Sequence, residues 1–158
     1  LAGAAGTVTG AAITRLLGGK TDIVMMLNGA LAGLVAITAE PLTPGPITAM
    51  VIGSIGSIIM YFGTKMLEGF GIDDVVGAIP VHMFAGIFGT LVVPFTNAST
   101  SLGTQFVGTL SVVLFSFVLS YVVFMGMKVT IGLRISKAAE KLGTDKAEVG
   151  VIAYSIRD

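Results

Sequence analysis

The chain has 158 residues, 54% hydrophobic and 11% charged, with nine basic and nine acidic side chains that cancel to a formal net charge of zero. With a mean hydropathy of +0.95, this excludes an ordinary soluble domain, and a zero net charge gives no support for nucleic-acid binding. With no cysteine and a single histidine, the chain can build neither a disulfide framework nor a Cys-based or multi-histidine metal site, and no cofactor is expected.

Leu1–Thr14 is a small, apolar run broken by Gly3, Gly6 and Gly10. As helix it reaches about 21 Å, short of the roughly 30 Å hydrocarbon core of a bilayer. It lacks the basic start of a signal peptide. It is expected to be the end of a helix cut by a fragment boundary, with sequence upstream missing. Charge-free runs follow at Ile23–Ala39, Pro41–Thr64 and Val75–Met127, the last long enough for two crossings with a turn near Pro94–Thr104. The predicted spans are 1–16 (truncated), 23–39, 46–66, 75–94 and 104–128, which makes 1–131 the transmembrane region. Uniformly apolar runs point to helices rather than the alternating strands of a barrel. The fold class is therefore an all-α integral membrane protein, a transmembrane helix bundle.

Lys and Arg set the expected orientation. Arg15, Lys20 and Lys65 lie in the odd connections, and Lys128, Arg134, Lys137, Lys141, Lys146 and Arg157 follow the last span. The even connections carry neither residue type, so all basic side chains fall on one side, which the positive-inside rule makes cytoplasmic. The start then faces out. The tail, 132–158, is cytoplasmic and mixes both charge signs; "SKAAEKLG" predicts a short helix with Ser136 as N-cap and Gly143 just past its end. Too short for a core of its own, the tail is expected to dock on the membrane part or on a partner.

His82 lies in the apolar run after Asp74, about 12 Å along a helix at about 1.5 Å per residue. An ionisable residue within a span marks a functional site or a buried hydrogen bond. A neutral imidazole offers one donor and one acceptor, enough to relay a proton or hold a small polar solute. Pro80, two residues earlier, is expected to leave the Val76 carbonyl without its helical donor and to kink the helix. Asp73 and Asp74 are candidate helix caps at the positive end of that span. Asn28 precedes Gly29 and Gly33, a GxxxG packing pattern, and either bonds across that contact or faces a conduit. Gly86 and Gly89 are expected helix contact points. No Ser/His/Asp set can be assembled, so the protein is not expected to be an enzyme.

Three stretches, "LNGALAGLVAIT" (27–38), "IDDVVGAIPVHMFAGIFGTL" (72–91) and "GLRISKAAEKLGTDKAEVGVIAY" (132–154), together resemble the ammonium transporter/methylammonium permease/Rhesus family, in order over essentially the whole chain. The resemblance is to the C-terminal portion: the end of the seventh helix, helices eight to eleven and the tail. It implies about five spans of an eleven-helix inverted-repeat fold, a homotrimer, and a narrow hydrophobic pore in each protomer. His82 matches the second of two pore histidines, which would handle ammonia and the proton taken from ammonium. Asp74 matches a structural aspartate, and Asn28 a position carrying Ser or Asn near the outer part of the pore. The tail resembles the segment that couples to PII-type regulatory proteins, although Val149 replaces a histidine common there. The first pore histidine, the aromatic gate and the outer ammonium site belong to the missing first half, so truncation is expected. Two other readings stay open: an ammonium sensor coupled to a signalling module, and a membrane scaffold with His82 packed against protein on all sides.

Overall fold

The computed structural model describes residues 1–153, and every regular element among them is helical. Tyr154, the last residue of the tail motif, and Arg157 lie outside the described residues. The chain divides into two compact units, Leu1–Val112 and Val113–Asp158.

The first unit opens with three helices, α1 (Ala2–Gly18), α2 (Ile23–Thr38) and α3 (Pro46–Gly69), each packed against the other two. Local chemistry sets their ends. Gly19, at φ 74°, closes α1 in a left-handed cap, and Asp22 starts α2 by accepting the Met25 amide at 3.0 Å. Pro46 stands at the first position of α3, where its missing N–H would have had no helical partner. After α3 the chain runs irregularly to Ala78. It then enters a π-helical turn (Ile79–Phe84) that continues into α4 (Ala85–Val92) and a 3₁₀ turn (Val93–Phe95).

Glycine packing brings the helix backbones together. A Cβ on Gly29 of α2 would lie 2.6 Å from the Gly6 carbonyl oxygen of α1 and 2.7 Å from Ser57 Oγ of α3. One on Gly33 would lie 2.5 Å from the Ala2 carbonyl, and one on Gly56 of α3 2.8 Å from that of Ala32. The expected GxxxG contact is thus an α1–α2 contact, and Gly89 of α4 meets the Ala36 backbone of α2 in the same way. Where α2, α3 and the π turn converge, Ala32, Met60, Val81 and Ala85 form the buried cluster, flanked by Met25 and Val35. With so few large side chains in the core, closeness of backbones supplies the dispersion energy, as in membrane helix pairs.

The two even connections meet. Asn97 Nδ2 donates to Glu40 Oε2 at 3.0 Å, while Oε1 of Glu40 accepts the Leu42 and Thr43 amides at 3.2 and 3.4 Å. These bonds, the one from Asn97 first, hold the Glu40 carboxyl below its ordinary 4.5. At the opposite end Thr14, Lys20, Asp22, Tyr61 and Lys65 border one cavity of about 340 Å³, so the α1–α2 turn lies beside the end of α3. The helices therefore alternate in direction.

α5 (Leu102–Thr130) has no buried residue and is apolar on all sides. α3 and α5 are the two helices among the described residues long and apolar enough to cross a membrane; α2 and the Ile79–Phe95 rod are apolar but shorter. In the second unit α6 (Lys137–Leu142) starts at Ser136, whose Oγ accepts the Ala139 amide at 3.2 Å, and ends before Gly143 at φ 96°. A π turn follows (Asp145–Val149), and Asp145 Oδ2 accepts the Ala153 amide at 3.0 Å.

Two outcomes follow for the complete protein in detergent. Gly29→Val should separate α1, α2 and α3 and sharply lower the melting temperature, whereas Gly69→Ala, with open space at its Cβ position, should not; equal effects would refute the packing account. The depressed Glu40 carboxyl contributes stability that is full above its unfolded value and is lost as pH falls through its lower folded value. Asn97→Ala should bring that carboxyl back toward 4.5 and shift the acid-side loss of stability to higher pH, read from melting temperature against pH.

Candidate pore-lining site

The site is built at the entry to the Ile79–Phe95 rod. Asp74 accepts the Ala78 amide on Oδ1 at 2.9 Å and the Ile79 amide on Oδ2 at 2.8 Å, using both oxygens on the helix start. Gly77 takes a left-handed turn at φ 73°, open to glycine without strain, and its carbonyl accepts the Val81 amide at 3.1 Å. The capping expected of both aspartates falls to Asp74 alone. Asp73 is exposed, makes no hydrogen bond among the described residues, and borders a cavity of about 150 Å³ together with Glu68 and Thr64.

This geometry corrects the expectation for Pro80. Helical conformation begins at Ala78, not at 75, so Pro80 sits in the first turn, where an N–H has no helical carbonyl to meet. The donors of that turn are accounted for: two bond Asp74, proline has none, and Val81 bonds Gly77. Widening to a π turn follows, with the Ala85 amide reaching the Pro80 carbonyl five residues back. Gly63 of α3 makes room for this turn, since a Cβ there would lie 2.5 Å from Phe84 Cδ2 and 3.3 Å from Pro80 Cβ.

The Val76 carbonyl does lack a helical donor, through the left-handed turn at Gly77 rather than through proline. Asn28 Nδ2 donates to it at 3.1 Å. A Cβ at Gly77 would lie 2.7 Å from the same nitrogen and displace it, and the left-handed backbone at φ 73° itself favours glycine. Asn28 is thus at the end of the bundle bearing Asp74 and the α1–α2 turn, opposite the Glu40–Asn97 loops. The resemblance implied a position near the outer part of the pore; the bond to Val76 puts Asn28 at the Asp74 end of the bundle.

Pro80, Val81 and Ala85 are buried toward α2 and α3, whereas His82 and Met83 are exposed on the other face of the rod. His82 makes no hydrogen bond among the described residues, so both ring nitrogens are unspent. Asn28, Asp74 and the 76–79 turn come together, with His82 one turn further on. Neither Gly63 nor Gly77 was singled out from the sequence; Gly77 carried a signal, a lone glycine between a candidate cap and a proline.

The model of the Ammonium Transporter Family matches residues 1–154. The chain belongs to the ammonium transporter family. It is 40% identical over 174 residues to "Ammonium transporter Amt2" of Archaeoglobus fulgidus, covering 98% of this chain and 37% of that protein. To "Ammonium transporter Amt2" of Methanocaldococcus jannaschii it is 31% identical, covering 93% and 37%. Among solved structures it is similar to a "Sensor Amt Protein", with a TM-score of 0.85, 30% identity, and coverage of 93% of this chain and 39% of that one. The chain spans well under half the length of these relatives. The all-helical membrane fold is therefore that of the family.

The two aspartates separate by experiment. Asp74→Ala in the complete protein should lower stability by about 0.5–2 kcal/mol, the usual cost of a lost N-cap, whereas Asp73→Ala should stay within about 0.5 kcal/mol, as at an ordinary surface position. Equal losses in thermal unfolding would show that the caps are shared.

Proposed function

We propose that the protein moves ammonium or ammonia across a membrane, with His82 and Asn28 as this chain's residues on the path. The supporting observation is His82 itself: the only imidazole of the chain, on the rod face turned away from the core, with no hydrogen bond among the described residues. A second histidine, supplied by the part of the protein this chain does not span, would complete the pair. Asn28 would offer the solute its amide oxygen at the rod entry.

Selectivity follows from solvation. A cation entering a narrow apolar passage loses its water at a cost of several kcal/mol, whereas neutral ammonia loses little. Ammonium that gives up its proton on entry would pass beside imidazoles as ammonia. The proton would be taken by a neutral imidazole nitrogen, relayed along the histidine pair and returned to ammonia on the far side, so that charge crosses with it. Potassium, with no proton to give, is excluded. Residues 1–131 would be the transmembrane region and 132–158 a cytoplasmic tail, with the basic residues inside and the start of this chain outside. In this arrangement the protein is a homotrimer in the cell membrane, and the tail docks a PII-type regulatory protein, with Val149 changing that contact.

A sensor is the second reading, favoured by the name of the similar structure, "Sensor Amt Protein". Ammonium-triggered current from the complete protein in proteoliposomes decides between them. Transport predicts a current that His82→Ala reduces or makes permeable to potassium; an unaltered current and ammonium/potassium discrimination would remove His82 from the path. Specific ammonium binding without current would mean a sensor.

A further inference from the structure

The Asn28 amide has two ends, and the structure commits only one. A backbone carbonyl only accepts, so the group facing Val76 must be the NH₂, which leaves the amide oxygen without a partner among the described residues. The backbone of Asn28 is itself fixed, because the next residue, Gly29, is wedged between the Gly6 carbonyl and Ser57 Oγ. Its side chain therefore works from a rigid base. On the other side it meets two of the features that set how the rod begins: the Val76 carbonyl and the left-handed Gly77. From Gly77 the next helical bond is made by Val81, the residue before His82.

We propose that Asn28 is a positioning residue for His82: its NH₂ group locks the 76–77 turn to α2 and so fixes the rotation of the rod that carries the imidazole. A helix turns by about 100° per residue, so a slip of one residue at the start would carry His82 to a different face of the rod. Asp74 holds the donors of the first turn and Asn28 holds the acceptor left outside it. Together they leave the start of the rod one register. The Val76 carbonyl accepts no helical N–H, and the Asn28 amide is the donor it meets among the described residues. The functional part of this inference rests on the transport reading; the structural part does not.

Asn28→Asp tests it, because the carboxylate keeps the shape and an oxygen for a solute but loses the donor that Val76 requires. In the complete protein, amide hydrogen exchange at Ala78, Ile79 and Val81 should speed up about tenfold or more, the factor of a lost bond worth about 1.4 kcal/mol. Maximal ammonium current should fall by a similar factor with little change in the apparent KM. Asn28→Gln, which retains a donor, should recover part of both. If Asn28 acts only as a solute contact, Asn28→Asp will instead change the apparent KM, leave the maximal current intact and leave exchange at the three amides as in wild type; that outcome overturns the proposal. Should the wild type carry no ammonium current, the exchange measurement still decides the lock, and the transport reading alone fails.

Discussion

The structure depends on the close approach of α1, α2 and α3 through glycine. Gly6, Gly29, Gly33 and Gly56 each face a neighbouring backbone at distances that no Cβ could share. Such contacts are rigid in a way that interdigitated leucines are not, because a backbone has no rotamer to yield. The register of α2 is therefore set before any larger side chain is placed. Since Asn28 precedes Gly29, and Ala32 and Ala36 lie one and two turns on, the same seam aims one polar and two small residues at the rod. The position of His82 is inherited from that seam.

The rod entry shows a division of work between side chains. Backbone groups at a helix start must be satisfied, and more strictly so in lipid than in water. Here a carboxylate takes two amides, a proline withholds one, and an asparagine from another helix takes a carbonyl. None of these groups is spare, and the π turn that follows widens the helix just where the imidazole is displayed. The rod face toward α2 and α3 is buried while the face with His82 is not, so the entry turn determines which face is which.

Helix existence was legible in the sequence because it depends on local chemistry and on long apolar runs. Charges marked the ends of the apolar segments, and Ser136 and Gly143 marked the ends of α6. The start of the rod was misjudged because hydropathy does not register a left-handed glycine: Val75 and Val76 are as apolar as the helix they precede, yet Gly77 keeps them out of it. Pro80 was visible, but its consequence depends on position, being a kink within a helix and no disturbance in the first turn. Asn28 and the Val76 carbonyl were both noted as features without their bond, which joins residues 48 apart in sequence and depends on how α2 packs. Long-range pairs of this kind, like Glu40 with Asn97, carry no periodicity.

Between Val75 and Met127 the sequence places no Asp, Glu, Lys or Arg, and this shapes what the rod can do with a solute. A charged filter would hold an ion by Coulomb attraction, which strengthens as the dielectric falls and so makes release slow. An uncharged rod with one imidazole has only hydrogen bonds to offer, of the strength suited to a small neutral molecule. Under the transport reading proposed above, discrimination would be a matter of which solute can become neutral, a property of the solute's chemistry more than of pore diameter. That makes orientation the controlling variable: a hydrogen bond weakens steeply with angle, so an imidazole turned away from the path is no longer a site. The physical burden therefore falls on the packing and capping that aim His82, and the structure concentrates its glycines, its aspartate cap and its asparagine there.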